Sequence, residues 1–293
     1  RTKDNRSGLP LTAIGAKEVD NKIWRLIMTL SGKRALITGS FQGIGLGIAT
    51  SLAAEGAEII LHGLADEATI AKAKKTVMDA GAAKVESHVS DLRDVAATEA
   101  LIAKILRNGP VDILCNNAGV QHTATIEEMP RAKWDDIIAI NLSSYFDTMR
   151  LLLPAMKERG YGRVINTSSV HGLVGSVQKA PYVASKHGVI GLTKVAALEY
   201  ASSGSRDSGG VTVNAICPGW VETTLIAPQI QAKAELHNGD RSAGIADLLS
   251  EKQPSHRMSS PKDIGAIVVF LCSDAAHNIT GAAISVDGGW SAQ

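Results

Sequence analysis

Tyr182 and Lys186 stand four positions apart in Tyr182-Val183-Ala184-Ser185-Lys186. On a helix that spacing puts both side chains on one face, within reach of each other. Oxidising an alcohol means removing its hydroxyl proton as hydride leaves carbon, and a phenol can take that proton. A free tyrosine, with pKa near 10, is a poor base at neutrality. A neighbouring ammonium favours phenolate and lowers that value. The pair alone is common on surface helices, so it needs company to mean anything.

The company begins at Thr38-Gly39-Ser40-Phe41-Gln42-Gly43-Ile44-Gly45. Glycines in such a turn let backbone approach a pyrophosphate, and the helix that follows offers free N–H groups and a positive dipole end. A glycine cluster by itself often marks only a turn. Its place between an apolar run and an amphipathic stretch makes a dinucleotide site the better reading. The spacing is G-x-x-x-G-x-G, not the standard G-x-G-x-x-G fingerprint.

These residues need a scaffold. Val- and Ile-rich runs at Ala35–Thr38, Glu58–His62, Lys84–Val89, Val111–Cys115, Arg163–Thr167, Val211–Ile216 and Ala283–Val286 read as buried strands. Between them Gly43–Glu55, Asp66–Ala80, Asp94–Asn108, Lys133–Glu158 and Tyr182–Ser203 read as helices. Alternation of this kind predicts an α/β fold: a Rossmann-type, doubly wound parallel sheet of about seven strands with helices on both faces, in a single domain. Residues 222–261 break the alternation and predict a helical insertion covering the substrate. Ser203–Gly210 predicts a Ser/Gly-rich loop.

With Asn116-Asn117-Ala118-Gly119 and Pro218-Gly219 added in the expected order, residues 30–293 resemble the short-chain dehydrogenase/reductase family. The resemblance implies a homotetramer and assigns roles. Ser169, Tyr182, Lys186 and Asn141 become the catalytic set. Ser169 bonds the substrate oxygen, Lys186 bonds the nicotinamide ribose, and Asn141 holds a water linking Lys186 to solvent. Gly39, Phe41, Gln42, Gly43, Ile44 and Gly45 hold the cofactor's phosphates. Asp91 and Leu92 meet its adenine, with a loop aspartate capping the next helix as the plainer alternative for Asp91. Asn117, Ala118, Gly119, Pro218, Gly219, Val221 and Thr223 surround the nicotinamide half, with Tyr182 and Lys186.

The cofactor reads as NAD. A 2′-phosphate needs a basic group after the second strand, and neither Ser40–Gln42 nor His62-Gly63-Leu64-Ala65-Asp66 supplies one. Asp66 reads first as a helix cap. Segments around Gln121, His171, Trp220, Gln253 and Trp290 resemble the family's D-3-hydroxybutyrate dehydrogenase branch. That likeness implies a small hydroxy-acid or keto-acid substrate, its carboxylate held by Gln121, His171, Lys179 and Gln229, with Ser169 and Tyr182 at the reacting oxygen and Trp220 and Trp290 as walls. A 3-oxoacyl-thioester reductase is the alternative within the family, and a catalytically dead NAD-binding scaffold the alternative outside enzymology. The scaffold should have lost Tyr182, Lys186 or Ser169, and all three are present.

Composition excludes other classes. Thirty basic against 29 acidic residues leave a formal charge of +1, without the basic excess that nucleic acid or a membrane surface would call for. Cys115, Cys217 and Cys272 are too widely spaced for a metal site or a disulfide framework, so no metal is expected. Free thiols in apolar stretches suit a reducing, cytoplasmic setting. Residues 1–29 stand apart, and 1–20 are polar and mixed in charge. They read as a disordered or added tail, with native sequence starting near Met28. Asp4, Glu18 and Asp20 argue against a transit peptide.

Overall fold

In the computed structural model, residues 30–292 are described. The expectation for the tail before them lies outside the described residues. Seven strands run β1 (Arg34–Ile37), β2 (Glu58–Gly63), β3 (Val85–Val89), β4 (Ile113–Asn116), β5 (Tyr161–Thr167), β6 (Gly210–Pro218) and β7 (Ala283–Val286). They form one sheet in the order β3-β2-β1-β4-β5-β6-β7, every pair parallel. The order reverses between β1 and β4. Loops at the carboxyl ends of those two strands diverge there and leave the crevice in which such sheets bind ligands.

Burial on both faces explains the unbroken apolar strands. Ala35, Ile37, Ile59, Leu61, Ile113 and Cys115 face one core, while the intervening Leu36, Ile60 and Leu114 face the other. Three helices, α1 (Gly43–Ala54), α2 (Glu67–Asp79) and the late α9 (Pro261–Cys272), close the first face. The second is closed by α3 (Val95–Arg107), α5 (Ser144–Arg159) and α6 (Ala180–Tyr200). Each fully buried Leu or Ile contributes roughly 1.5–3 kcal/mol, so the two layers fix the strand ends that carry the site.

Two features depart from the sequence reading. The helix expected over Lys133–Glu158 is two helices, α4 (Arg131–Ile138) and α5, joined by a π-helical turn over Ala139–Ser143. That turn carries Asn141. Its side chain works against the backbone of Val120, accepting from Val120 N and donating to Val120 O, both at 2.9 Å. The widened turn lets the amide reach across, as π-bulges at functional sites commonly do. Secondly, the late insertion is a helix pair with its own small core. Its helices α7 (Ala227–Glu235) and α8 (Arg241–Ser250) pack through Ile226, Ile230 and Leu248. One isolated bridge, Val221 to Ser259, joins its two ends.

The helix α9 follows that bridge at once, and it lies hard against α1. A Cβ added at Gly47 would sit 2.5 Å from Pro261 O, and one at Gly265 would sit 2.6 Å from Gly47 O. Only glycine permits this approach. The Ser203–Gly210 loop is anchored by Arg163, a fully buried guanidinium that donates to Gly209 O at 3.1 Å and Gly210 O at 2.9 Å.

Candidate active site

A cleft of about 550 Å³ opens at the carboxyl ends of β1, β4, β5 and β6. Its floor at one end is the turn after β1. Gly39 there has φ +64° and Gly43 φ +57°, conformations other residues resist. A Cβ on Gly45 would stand 2.3 Å from Gly39 O, and one on Gly39 would stand 2.8 Å from Ala118 Cα. The turn is thus packed backbone to backbone, with its open side to the cleft. Gln42, the residue capping α1, makes no side-chain bond to the helix start, which leaves the first N–H groups for a ligand. A pyrophosphate fits this cradle of bare backbone and helix dipole.

The Thr38 hydroxyl ties β1 to β4, accepting from Asn117 N at 2.9 Å and Ala118 N at 3.0 Å. Asn117 answers by donating to Thr38 O and Gly39 O, both at 3.0 Å. Of the residues the sequence assigns to the cofactor, Gly39, Phe41, Gln42, Gly43, Ile44, Asn117, Ala118, Gly119, Pro218, Gly219, Val221 and Thr223 line the cleft. Gly45 packs inside the turn. Asp91 and Leu92 do not line the cleft. Leu92 is buried, and both carboxylate oxygens of Asp91 are engaged by Arg93, whose Nη1 reaches on to Asp136 at 2.9 Å. Capping of α3 falls instead to Asp94, which accepts from Ala97 N. Asp66 does cap α2, accepting from Thr69 N at 2.7 Å, and it lines the cleft as well.

Deeper in, α6 begins at Ala180 and turns Tyr182 and Lys186 to the cleft. The Lys186 ammonium is buried and donates to Thr167 O at 2.7 Å. Burial pushes its pKa down to about 7. Its Nζ lies 5.7 Å from the centre of the Tyr182 ring. Burial holds the Tyr182 phenol above its usual value, while a hydrogen bond with the Ser169 hydroxyl pulls the other way. Ser169 also caps the short turn that follows β5, accepting from His171 N at 3.1 Å. Space beside Gly119 meets two of these groups, since a Cβ there would be 3.5 Å from Asn141 Oδ1 and 3.6 Å from Lys186 Nζ.

Sequence reasoning missed Tyr145. This buried tyrosine on α5 shares its hydroxyl between Ala118 O at 3.1 Å and Thr167 O at 3.3 Å, bracing the β4 and β5 ends. Below it runs a buried polar chain in which Thr148 bonds Asn116, Asn116 bonds Asn166, and Asn166 bonds Thr193. A satisfied network of this kind rigidifies what it supports. Periodicity could show only that Tyr145 faces the core.

The far end of the cleft gathers the residues assigned to a carboxylate. His171 is buried, with its ring edge-on to Tyr182 at 6.2 Å and to Trp290 at 5.3 Å. Burial lowers its pKa to about 4, and the charges of Lys179 and Lys252 push it the same way. Trp220 and Trp290 face each other at 5.6 Å. With its amide oriented so that both ends are satisfied, Gln229 on α7 donates to Ile226 O at 3.0 Å and accepts from Gln121 Nε2 at 3.3 Å, which joins the insertion to the loop after β4. His171 Nδ1 and Trp220 Nε1 are buried without a protein partner, an arrangement that invites a ligand. Lys179 does not line the cleft; its Nζ is 5.8 Å from the Trp220 ring centre. Glu222 is turned to solvent, where Arg241 pairs with it at 2.6 Å. The three cysteines are buried and free. Among the described residues no helix is long and apolar enough to cross a membrane, and no His/Cys/Asp/Glu cluster could hold a metal ion.

The family described as Enoyl-(Acyl carrier protein) reductase matches residues 39–291. The chain belongs to the short-chain dehydrogenase/reductase family. Within that family it is 49% identical over 265 residues to D-beta-hydroxybutyrate dehydrogenase of Cupriavidus necator, covering 90% of this chain and all of the relative. It is 43% identical to the enzyme of that name from Rhizobium meliloti, over 89% of this chain and 99% of the relative. Among solved structures it resembles L-sorbose reductase from Gluconobacter frateurii, complexed with NADPH and L-sorbose. There the TM-score is 0.84 at 29% identity, covering 91% of this chain and 99% of that one. Short-chain dehydrogenases are oxidoreductases using a nicotinamide cofactor, and the sheet and cradle described above are of that kind.

Proposed function

We propose that the protein oxidises D-3-hydroxybutyrate to acetoacetate with NAD, and runs the reverse reduction, as a cytoplasmic homotetramer. The observation that carries the substrate is the far end of the cleft. Gln121 and Gln229 meet across it, and the unpartnered His171 Nδ1 and Trp220 Nε1 belong to its walls. A carboxylate would give these groups an acceptor. The similarity to two D-beta-hydroxybutyrate dehydrogenases supports the same reading.

The nicotinamide, when bound, accepts or returns the hydride. The chain's own residues do the rest. Ser169 Oγ orients the substrate oxygen, and Tyr182 Oη takes its proton during oxidation. Lys186, held by Thr167 O, bonds the ribose and supplies positive charge beside the phenol. Asn141 and the space at Gly119 carry the proton onward towards solvent.

NAD is preferred because no cation stands at Ser40–Gln42, while the Asp66 carboxylate lines the cleft where a 2′-phosphate would have to come. Coulomb repulsion there works against NADP. We expect a higher kcat/KM with NAD in steady-state assays of both cofactors; a higher value with NADP would overturn this part.

The carboxylate is tested with Lys179→Ala. Lys179 does not line the cleft, so the change removes a nearby positive charge rather than a direct hydrogen bond, and kcat/KM for D-3-hydroxybutyrate is expected to fall by ~1 kcal/mol. A neutral secondary alcohol of similar size should lose far less. Equal losses on both substrates would make Lys179 a structural residue. A wild-type preference for the neutral alcohol or a long thioester would sink the hydroxybutyrate assignment.

A further inference from the structure

Strand β6 ends at Pro218, and the next three residues, Gly219, Trp220 and Val221, all line the cleft. Gly219 N still donates to Val286 O at 3.0 Å, a last link to the end of β7. Trp220 lies beyond that ladder. Its N donates to the side-chain oxygen of Gln253 at 3.2 Å, and its O accepts from Ser259 N at 3.1 Å.

Gln253 comes three residues after α8 and is 2% exposed. Its amide nitrogen donates to Arg257 O. One neutral side chain thus accepts from the Trp220 loop and donates to its own turn, as a peptide unit would in a ladder. Exchanging its oxygen and nitrogen would set donor against donor and acceptor against acceptor, so the two bonds fix the amide's direction. Shape holds it as well. A Cβ at Gly219 would come 2.9 Å from Gln253 Oε1, and one at Gly288, where φ is +62°, would come 2.7 Å from Gln253 Cγ. Ser255 N donates to Gly288 O at 2.9 Å, and Gln253 N to Leu249 O at 2.9 Å. Gln253 is therefore wedged between the loops of Trp220 and Trp290, two rings 5.6 Å apart that both line the cleft.

We propose that Gln253 is a positioning residue for hydride transfer. It does not line the cleft and acts through Trp220. Trp220 stands between Pro218-Gly219, on the nicotinamide side, and the substrate wall, so the bond to its N sets one against the other. The phosphate turn at Gly39–Gly45 belongs to a different element and lies outside this control. The inference rests on the hydroxy-acid reading above for its assay substrate.

The test is Gln253→Met, which keeps chain length and removes both bonds. Rates on D-3-hydroxybutyrate are taken per cofactor site, counted by fluorescence titration. The loss in kcat/KM is expected to be roughly 10–100-fold, because a misplacement of about 1 Å can cost that much. Cofactor Kd should move less than about threefold, since the phosphate cradle is untouched. The isotope effect with substrate deuterated at its carbinol carbon should rise, as hydride transfer becomes the slow step. Gln253→Glu at pH 6, where burial favours the protonated carboxyl, keeps an acceptor for Trp220 N and a donor for Arg257 O. It should stay within about fivefold of wild type at that pH. In a Trp220→Phe background Gln253→Met should cost less than in wild type, the non-additivity of a residue that acts through its neighbour. Should Gln253→Met not fold, Gln253→Asn, one methylene shorter, takes its place with the same expectations. Unchanged kcat/KM would overturn the proposal. So would an unchanged isotope effect, full additivity with Trp220→Phe, or a Gln253→Glu loss as large as that of Gln253→Met; each would leave Gln253 a packing residue. A wild type inactive on D-3-hydroxybutyrate is a different failure, that of the substrate reading, and the same comparison then runs on a neutral secondary alcohol.

Discussion

Tyr182→Phe is expected to lower turnover by ~10²–10⁴-fold, the usual worth of a positioned acid or base, while binding of the nicotinamide cofactor stays close to wild type. The phenylalanine ring keeps the edge contact with His171 that Tyr182 makes at 6.2 Å. The change therefore removes one oxygen and one hydrogen bond, that with Ser169, without opening a cavity. Because the sheet ends and the phosphate turn are fixed by Thr38, Asn117 and Tyr145, the cofactor half should not register the loss. Turnover and cofactor affinity, by absorbance at 340 nm and by fluorescence titration, separate the two effects. A variant keeping more than about a tenth of wild-type activity would rule out the acid/base role, since that role is worth at least ~10²-fold.

Lys186→Met is expected to separate activity from stability. Removing the cation beside Tyr182 should cost roughly 10²–10³-fold in kcat/KM, as losing a preorganised electrostatic group commonly does. The fold should gain. Lys186 is 3% exposed and its pKa is pushed down to about 7 by burial. Each unit of such a shift corresponds to about 1.4 kcal/mol, so holding the ammonium inside costs on the order of a few kcal/mol. Methionine fills similar space without charge. Thr167 O, which accepts from Lys186, keeps its contact with the Tyr145 hydroxyl at 3.3 Å, so no carbonyl is stranded. The pH dependence has a definite sign. Below about pH 7 both folded and unfolded lysine are protonated, and the full cost is present. Between there and the unfolded value near 10.4 the unfolded chain binds the extra proton, so wild-type stability rises with pH. The advantage of Lys186→Met should be largest at pH 6 and shrink towards pH 9 in denaturant melts without cofactor. A wild type more stable than the variant at pH 6 would contradict this account of the site.

Most of the scaffold was legible because it obeys local rules. The strands are continuous apolar runs, and their observed limits differ from the expected ones by a few residues at most. The glycine turn was legible because φ near +60° at Gly39 and Gly43 demands that residue type. What stayed hidden depends on partners far away in sequence. Nothing local marks the π-helical turn at Asn141, which answers to the backbone of Val120. Asp91 has the position expected for adenine, yet its oxygens face Arg93, two residues on. Lys179 was expected at the substrate carboxylate, yet it does not line the cleft, and its Nζ is 5.8 Å from the Trp220 ring centre. Gln253 reads as a polar loop residue, but it is the wedge between two tryptophan loops. Side chains whose partners are backbone atoms of another segment leave no periodic trace.

The contact between Gly47 and Pro261 has a mechanical meaning. A long side chain in a core can change rotamer and absorb a small displacement; backbone and a proline ring packed directly on a glycine leave little room to do so. Pro261 begins α9 directly after Ser259, where the substrate-side insertion is bridged to Val221. Gly47 lies in the helix that opens from the phosphate turn. The two ends of the cleft are thus joined by a stiff strut of glycine contacts, Gly47 on Pro261 and Gly265 on Gly47. A shift at the base of the insertion therefore meets little slack before it reaches α1, the helix that opens from the glycine turn. By reciprocity, whatever free energy one ligand spends in setting that strut is felt equally by the other. Mutually reinforcing binding at the two ends of the cleft is therefore expected to depend on the close packing around Gly47 and Gly265.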